Sequence, residues 1–426
     1  MKQQRLRWMR LDNAAKIYPA SKRRNWNNVF RLSATLREPV DPAVLQRALE
    51  ATIPRFPSIA VRLRRGVFWY YLEEIPQAPA VQPEHAWPLT RMPFDDIRTC
   101  AFRVLYDRNR IAVEFFHALT DGNGGLIFLK TLAAEYLCQR YGVRISNDNG
   151  VLDRTAPPTE EELEDSFLRT RSLVKASRRE EAAYRLRGTR ERDGYLTVVT
   201  GILNTDEVLR LAKSFGVSLT VLLASALMMA ILNIQNETVP SRRRQKPVKV
   251  LIPVNLRKLF PSESLRNYVL YVTPGVDPKL GDYTFEEVLK TVYHQMGVEL
   301  TSKKLAAKVQ ANVEAEQHLA LRLMPLFLKN IAMKLVYDAV GERNSCLTLS
   351  NLGAVTLPEE MRPYVARLDF VLGVQATRPN NLGVLSYGDK LYCNFIRKIE
   401  EPTLEREFFQ FLRGLGLSVK VESNQR

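Results

Sequence analysis

The chain has 426 residues, and at roughly 150 residues per domain this predicts two to three domains, each able to bury a core without disulfides or metals. Apolar residues at 46% and charged residues at 25% are ordinary globular values, which excludes disorder or coiled coil as a description of the whole. Against 46 acidic residues stand 62 basic ones, a net charge of +16 that favours anionic partners: phosphorylated cofactors, acidic carrier proteins, anionic lipid surfaces or nucleic acid. Cys100, Cys138, Cys346 and Cys393 have no CxxC spacing and no clustered histidines, which argues against a structural zinc site and a secreted disulfide framework.

The basic N-terminus has no apolar stretch behind it, so no secretory signal is expected. Residues 28–36 read as a strand, and Asp41 caps a helix running to about residue 53 with Pro42 at its first position. Residues 58–64 and 67–72 flank Arg65-Gly66 as a hairpin, and 98–106 and 110–116 form a second strand pair. A Gly-rich turn leads into an amphipathic helix over 124–141. A charged stretch, acidic at 160–165 and basic from 169 to 192, marks the boundary as a partly helical connector. We assign 1–175 to an N-terminal domain, 176–194 to the connector and 195–426 to a C-terminal domain.

The second half opens with a strand near 195–203 and a helix capped at Asn204 or Thr205. The most apolar run, 219–234, is shorter than the roughly 20 residues of a spanning helix, so it reads as a buried core helix in a cytoplasmic protein. Strands follow at 248–253 and 268–273, then helical periodicity from 285 to 340 broken at Pro325. Strands at 345–351, 368–376, 381–387 and 390–396 precede a closing helix at 403–415. The segment 319–337 is rich in Leu, Met, Phe and Ile with Arg322, Lys329 and Lys334 among them. It reads as core, with a tunnel wall or membrane-contact helix as the alternative.

No P-loop, no GxGxxG after a strand, no HExxH and no GxSxG occurs, so phosphoryl transfer, dinucleotide chemistry, zinc proteolysis and the common serine-hydrolase plan lose their signatures. What stands out is His117-Ala118-Leu119-Thr120-Asp121-Gly122, between a strand and a helix. A histidine at a strand's end can turn its imidazole into a cleft. Asp121, four residues on, can fix the loop through a salt bridge, and Gly122 supplies backbone freedom for the return. His85, His294 and His318 lack such a setting and read as surface or packing residues. The basic runs at 22–24, 62–65 and 242–244 read as solvated faces, some able to attract phosphates.

The HxxxDG stretch resembles the signature of the coenzyme-A-dependent acyltransferase superfamily, which includes chloramphenicol acetyltransferase, plant acyltransferases, alcohol O-acetyltransferases and nonribosomal-peptide condensation domains. The segment 11–19 (LDNAAKIYP) is similar to the N-terminal segment of bacterial alcohol-acetyltransferase-like members. Pro253-Val254-Asn255-Leu256-Arg257 with Arg266-Asn267-Tyr268, the stretch Ser350-Asn351-Leu352-Gly353, and Asp369-Phe370-Val371-Leu372-Gly373 resemble further family segments in the same order. The last lacks the middle Gly and Trp of its counterpart. Condensation domains carry two adjacent histidines, and Phe116 stands in the place of the first, which favours free thioester transfer over peptide condensation.

The resemblance implies an α/β fold of two chloramphenicol-acetyltransferase-like domains, each a mixed sheet packed with helices, with a tunnel between them. It implies His117 as general base, supported by Asp121 and Gly122, and Ser350 and Asn351 as oxyanion or substrate contacts. Arg257, Asn267 and Asp369 become structural partners, Arg257 pairing with Asp121. No metal and no permanently bound cofactor is implied. Acyl-CoA would be a co-substrate, and the acceptor an alcohol, amine or lipid. Two other readings stay open: a stand-alone condensation enzyme fed by an acyl carrier protein, and a basic nucleic-acid-binding or scaffolding protein. The second is disfavoured because no RNP, KH, zinc-finger or basic-zipper pattern is present.

Overall fold

The computed structural model describes residues 6–21, 28–85, 87–170, 181–317, 323–336, 343–375 and 377–425. Val29–Leu36 lies within a five-stranded sheet whose order is Val365–Val371, Val29–Leu36, Arg110–Phe116, Phe102–Asp107 and Gln82–Pro83. The pairings are antiparallel except the last. Helices Pro42–Thr52 and Gly122–Tyr141 pack together against it. Asp41 accepts hydrogen bonds from the main-chain N–H of Ala43 and Val44, and Pro42 needs no such partner, so the first helix starts where its sequence directs. A small antiparallel sheet of Trp8–Arg10, Tyr70–Glu74 and Val61–Arg65 stands beside this layer.

The second half builds an eight-stranded mixed sheet. Its order is Val269–Val272, Val248–Asn255, Leu347–Val355, Asn380–Tyr387, Lys390–Arg397, Thr197–Asn204 and Lys420–Ser423, with Gly275–Val276 added to Val248–Asn255. Leu347–Val355 runs parallel to both its neighbours. The helix Leu219–Thr238 has the length and apolarity to cross a membrane, yet 72% of its apolar window is buried. It packs between Phe285–Glu299 and Thr403–Gly414 as a core helix.

The two halves interlock. After Leu347–Val355 the chain crosses to the edge of the first sheet as Val365–Val371, then returns to the second as Asn380–Tyr387. The crossing strands touch closely: a Cβ at Gly383 would lie 2.4 Å from the Phe370 carbonyl oxygen, so only glycine fits there. Leu385, Tyr392 and Ile396 of the second sheet complete the apolar core beneath the first.

Several elements differ from expectation. The strand expected from residue 98 begins at Phe102, because Phe94–Thr99 forms a short helix. The strand expected at 368–376 spans Val365–Val371. The long helical stretch is broken before Pro325: Phe285–Glu299 stops, and Thr301 opens a new helix, Ser302–Gln317, by accepting from Lys304 N–H. A further helix, Leu326–Val336, follows Pro325, while 318–322 and 337–342 lie outside the described residues. Of the connector, 171–180 is outside them too; 181–191 forms no helix and bridges to Ile399 through Arg190.

Candidate active site

The strand Arg110–Phe116 ends as His117 N–H donates to the Asn28 carbonyl at 2.7 Å, which fixes the histidine at the sheet's rim. Four residues on, Asp121 caps the helix Gly122–Tyr141. Its Oδ1 accepts from Asn123 N–H (3.0 Å) and Gly124 N–H (3.1 Å). Its Oδ2 accepts from Arg257 Nη1 at 2.7 Å and from Tyr268 N–H at 2.9 Å. Both ends of the carboxylate are thus committed to holding the loop. Arg257 spends its remaining donors on the carbonyls of Ser264 and Arg266 and on Asn255 Oδ1. The pair is buried, and it clamps the first half's loop to a turn of the second.

Gly122 acts through space and not through backbone freedom. It has no positive φ, and a Cβ there would lie 2.6 Å from Leu352 Cδ2. The strand carrying Ser350 and Asn351 therefore passes directly beside the histidine loop.

Around the imidazole the geometry is specific. Tyr18 stacks on it with centroids 4.7 Å apart and planes at 17°, and Phe30 meets it edge-on at 5.0 Å. His117 Nδ1 lies 3.2 Å from Asn267 Oδ1. Asn267 in turn donates Nδ2–H to Asp12 Oδ2 at 3.2 Å, and its main-chain N–H to the same oxygen at 3.4 Å. Asp12 is fully buried; Ala15 N–H donates to its other oxygen at 2.7 Å, and Arg266 Nε stands 3.9 Å away.

With Asp12 ionised, these contacts favour one place for the proton on the ring. A carboxylate only accepts, so Asp12 holds the Asn267 amide with its NH₂ inward and its carbonyl toward His117. A carbonyl also only accepts, so His117 carries its proton on Nδ1 and keeps the lone pair on Nε2. Burial pushes the imidazole below its ordinary value of 6.5, against the weaker opposing effects of a hydrogen bond to its own main chain, then of the Asp121 charge, the Asn267 hydrogen bond and the Asp12 charge. At neutral pH the ring is an uncharged base. Burial likewise raises Asp12 above the usual aspartate range, opposed chiefly by Arg266.

The other expected residues are placed as follows. Asn351 donates Nδ2–H to Thr220 Oγ1 at 3.0 Å and accepts from Gly353 N–H at 2.8 Å, so its side chain braces the strand against the core helix. Ser350 is nearly buried, and among the described residues none takes its hydroxyl. Asp369 pairs with Arg367 at 2.7 Å on the strand face opposite Phe370, the residue that meets Phe30. The structure thus joins His117, Asp121, Gly122, Arg257 and Asn267, and leaves Asp369 outside the cluster. His85 and His294 are exposed, and His318 lies outside the described residues.

Asp12 and Tyr18 were not singled out by sequence. Their only signal was the segment 11–19, whose acidic and aromatic residues among apolar neighbours mark a strap with both a charge and a ring to place.

No family model matches the chain, and no curated protein sequence does. Solved structures do. The trichothecene 15-O-acetyltransferase TRI3 from Fusarium sporotrichioides aligns with TM-score 0.59 at 13% identity, covering 96% of this chain and 95% of its own. TRI101 of F. sporotrichioides, solved with coenzyme A and T-2, aligns with TM-score 0.59 at 11% identity, covering 96% and 99%. The first condensation domain of the calcium-dependent antibiotic synthetase gives TM-score 0.59 at 15% identity over 96% and 95%. The fold is the two-domain α/β architecture shared by chloramphenicol-acetyltransferase-like acyltransferases and condensation domains.

Proposed function

We propose that the protein is an acyltransferase moving an acyl group from an acyl-CoA thioester to a hydroxyl or amine acceptor, with His117 as general base. The observation that carries this reading is the Asp12–Asn267–His117 chain, which leaves Nε2 as an uncharged proton acceptor at the junction of the two halves. An uncharged imidazole can take the acceptor's proton as its oxygen or nitrogen attacks the thioester carbonyl. The tetrahedral oxyanion needs a fixed donor, and Ser350, with its hydroxyl uncommitted beside the His117 loop, is the candidate. Collapse of the intermediate expels the thiolate of coenzyme A, which takes the proton back from the imidazolium. Coenzyme A is thus a co-substrate, and the reaction needs no group beyond the two substrates and this chain's own residues.

Transfer from an acyl carrier protein is the second reading, since the fold is shared with a condensation domain. Phe116, buried in the place of that group's first histidine, favours the free thioester. A thiol-release assay with acetyl- and long-chain acyl-CoA, crossed with alcohols and amines, tests the proposal. Turnover with coenzyme A donors supports it, and turnover only with carrier-bound donors transfers the assignment to the second reading.

A further inference from the structure

Two surface segments meet over the helix that carries Tyr18. Helix Leu326–Val336 packs on helix Ile17–Ser21. The tip of the hairpin Val61–Arg65/Tyr70–Glu74 is tied to it: Leu326 N–H donates to the Val67 carbonyl at 3.0 Å, Lys329 Nζ to the Phe68 carbonyl at 2.8 Å, and Asn330 Nδ2 to the Tyr70 hydroxyl at 3.1 Å. These bonds make one continuous face of the two segments.

That face is apolar and open to solvent. Val67 is 73% exposed, Leu323 63%, Ile331 57% and Phe327 56%, with Phe68 and Leu328 beside them. Phe327 and Ile331 lie four residues apart on one side of helix Leu326–Val336, exposed Lys334 continues that side at its end, and Leu323 is exposed just ahead of Pro325. The expectation of core for this segment therefore fails at its outward positions. A soluble surface seldom presents so many large apolar side chains together without a use for them.

The charge around the face says what covers it. Neither 61–72 nor 323–336 contains an Asp or Glu; of their cations Lys329 is fully buried, its Nζ on the Phe68 carbonyl and over the Trp69 ring, and Arg62, Arg64, Arg65 and Lys334 remain. Glu73 engages Arg62 and Arg64 from the neighbouring strand, and Arg65 and Lys334 are exposed at the two edges of the patch. A second copy seated on a two-fold axis would set these cations against themselves. Apolar and aromatic side chains flanked by the exposed cations Arg65 and Lys334, with Glu73 already taken by Arg62 and Arg64, match an anionic bilayer surface, where the rings enter the headgroup region and the two cations meet lipid phosphates.

We propose that the face formed by the 65–70 turn and helix Leu326–Val336 docks on an anionic phospholipid surface, and that the protein acts on an amphiphilic acceptor drawn from it. The path to the base is short: the docked helix lies on the helix of Tyr18, and Tyr18 stacks on His117. The acceptor half of this inference rests on the acyltransferase reading; the docking half does not.

Flotation of the full chain with vesicles of phosphatidylcholine alone, and of phosphatidylcholine with about a third phosphatidylglycerol, tests it alongside the double variant Phe327→Glu/Ile331→Glu. The expected result is binding to the anionic vesicles only, weakened at raised salt and lost by about tenfold or more in the variant. With a water-soluble short-chain acceptor the variant turns over like the wild type, and with a long-chain alcohol in anionic vesicles it loses about tenfold. Absence of wild-type binding, equal binding by the variant, or a dimer in sedimentation equilibrium that the variant dissolves would overturn the proposal. Vesicle binding without thiol release from any acyl-CoA would leave docking standing and overturn the acyltransferase reading alone.

Discussion

Asn267 Oδ1 faces His117 Nδ1 at 3.2 Å across 150 residues of sequence, and Asp12 decides which way that amide points. The first half supplies the imidazole, and the second supplies the amide that faces its Nδ1. Asn267→Ala should therefore lower kcat by about 10–10² with little change in KM, because a ring free to carry its proton on Nε2 is no longer a base toward the acceptor. Asp12→Asn should act in the same direction, since an asparagine there no longer forces the orientation of Asn267. Steady-state kinetics and ¹⁵N imidazole shifts of both variants check this; an unchanged tautomer with lost activity would refute it.

The depressed imidazole sets the pH behaviour. Activity should fall on the acid side with an apparent pKa below 6.5, the ordinary histidine value, because burial disfavours the charged ring. For stability, the unfolded chain takes up a proton below about pH 6.5 that the folded His117 still refuses. Stability is thus lost as pH falls through that window and is independent of this group above it. Urea titrations from pH 5 to 8 against His117→Gln isolate the effect, since the contribution of Asp12 cancels in the difference.

The Asp121–Arg257 pair is buried at the seam, so breaking it from one side leaves an uncompensated charge. Either single alanine substitution should cost about 3–5 kcal/mol, and the double variant should lose less than the sum. Chemical denaturation of the four members of the cycle measures the coupling. Additive losses would mean that the 2.7 Å contact carries no energy.

Much of this arrangement is legible in sequence because it is local. The Asp41-Pro42 start is read from adjacent residues, and the HxxxDG loop between a strand and a helix from six consecutive ones, although the helix begins at Gly122, with Asp121 as its cap, and not at 124. The core helix Leu219–Thr238 declares itself through its unbroken apolarity. What was illegible is long-range. Nothing in 365–371 says that this strand leaves its own half to pair with 29–36, because alternation fixes which face is buried and not which sheet is joined. Asp12 and Tyr18 acquire their roles only when the strap 11–18 is laid over His117. The role of Gly122 likewise appears only with Leu352 in place, since a glycine excluded by a neighbour's side chain looks the same in sequence as one needed for its φ.

Ser350 and Asn351 separate by what they already bond. Ser350→Ala should lower kcat by about 10²–10³ at nearly constant KM, as expected for a donor whose bond strengthens when charge develops. Asn351→Ala should lower the melting temperature first, because its amide ties the strand to Thr220. Kinetics and thermal melts of both variants decide it. Unchanged kcat in Ser350→Ala would move the oxyanion donor elsewhere.

The most direct test of the central claim is the rate of free thiol release from acyl-CoA, with a turned-over acceptor present, by the wild-type chain and by His117→Ala at matched fold content. The account predicts release by the wild type and a loss of about 10²–10⁴ in the variant with an unchanged circular-dichroism spectrum. Equal rates in the two proteins would contradict it.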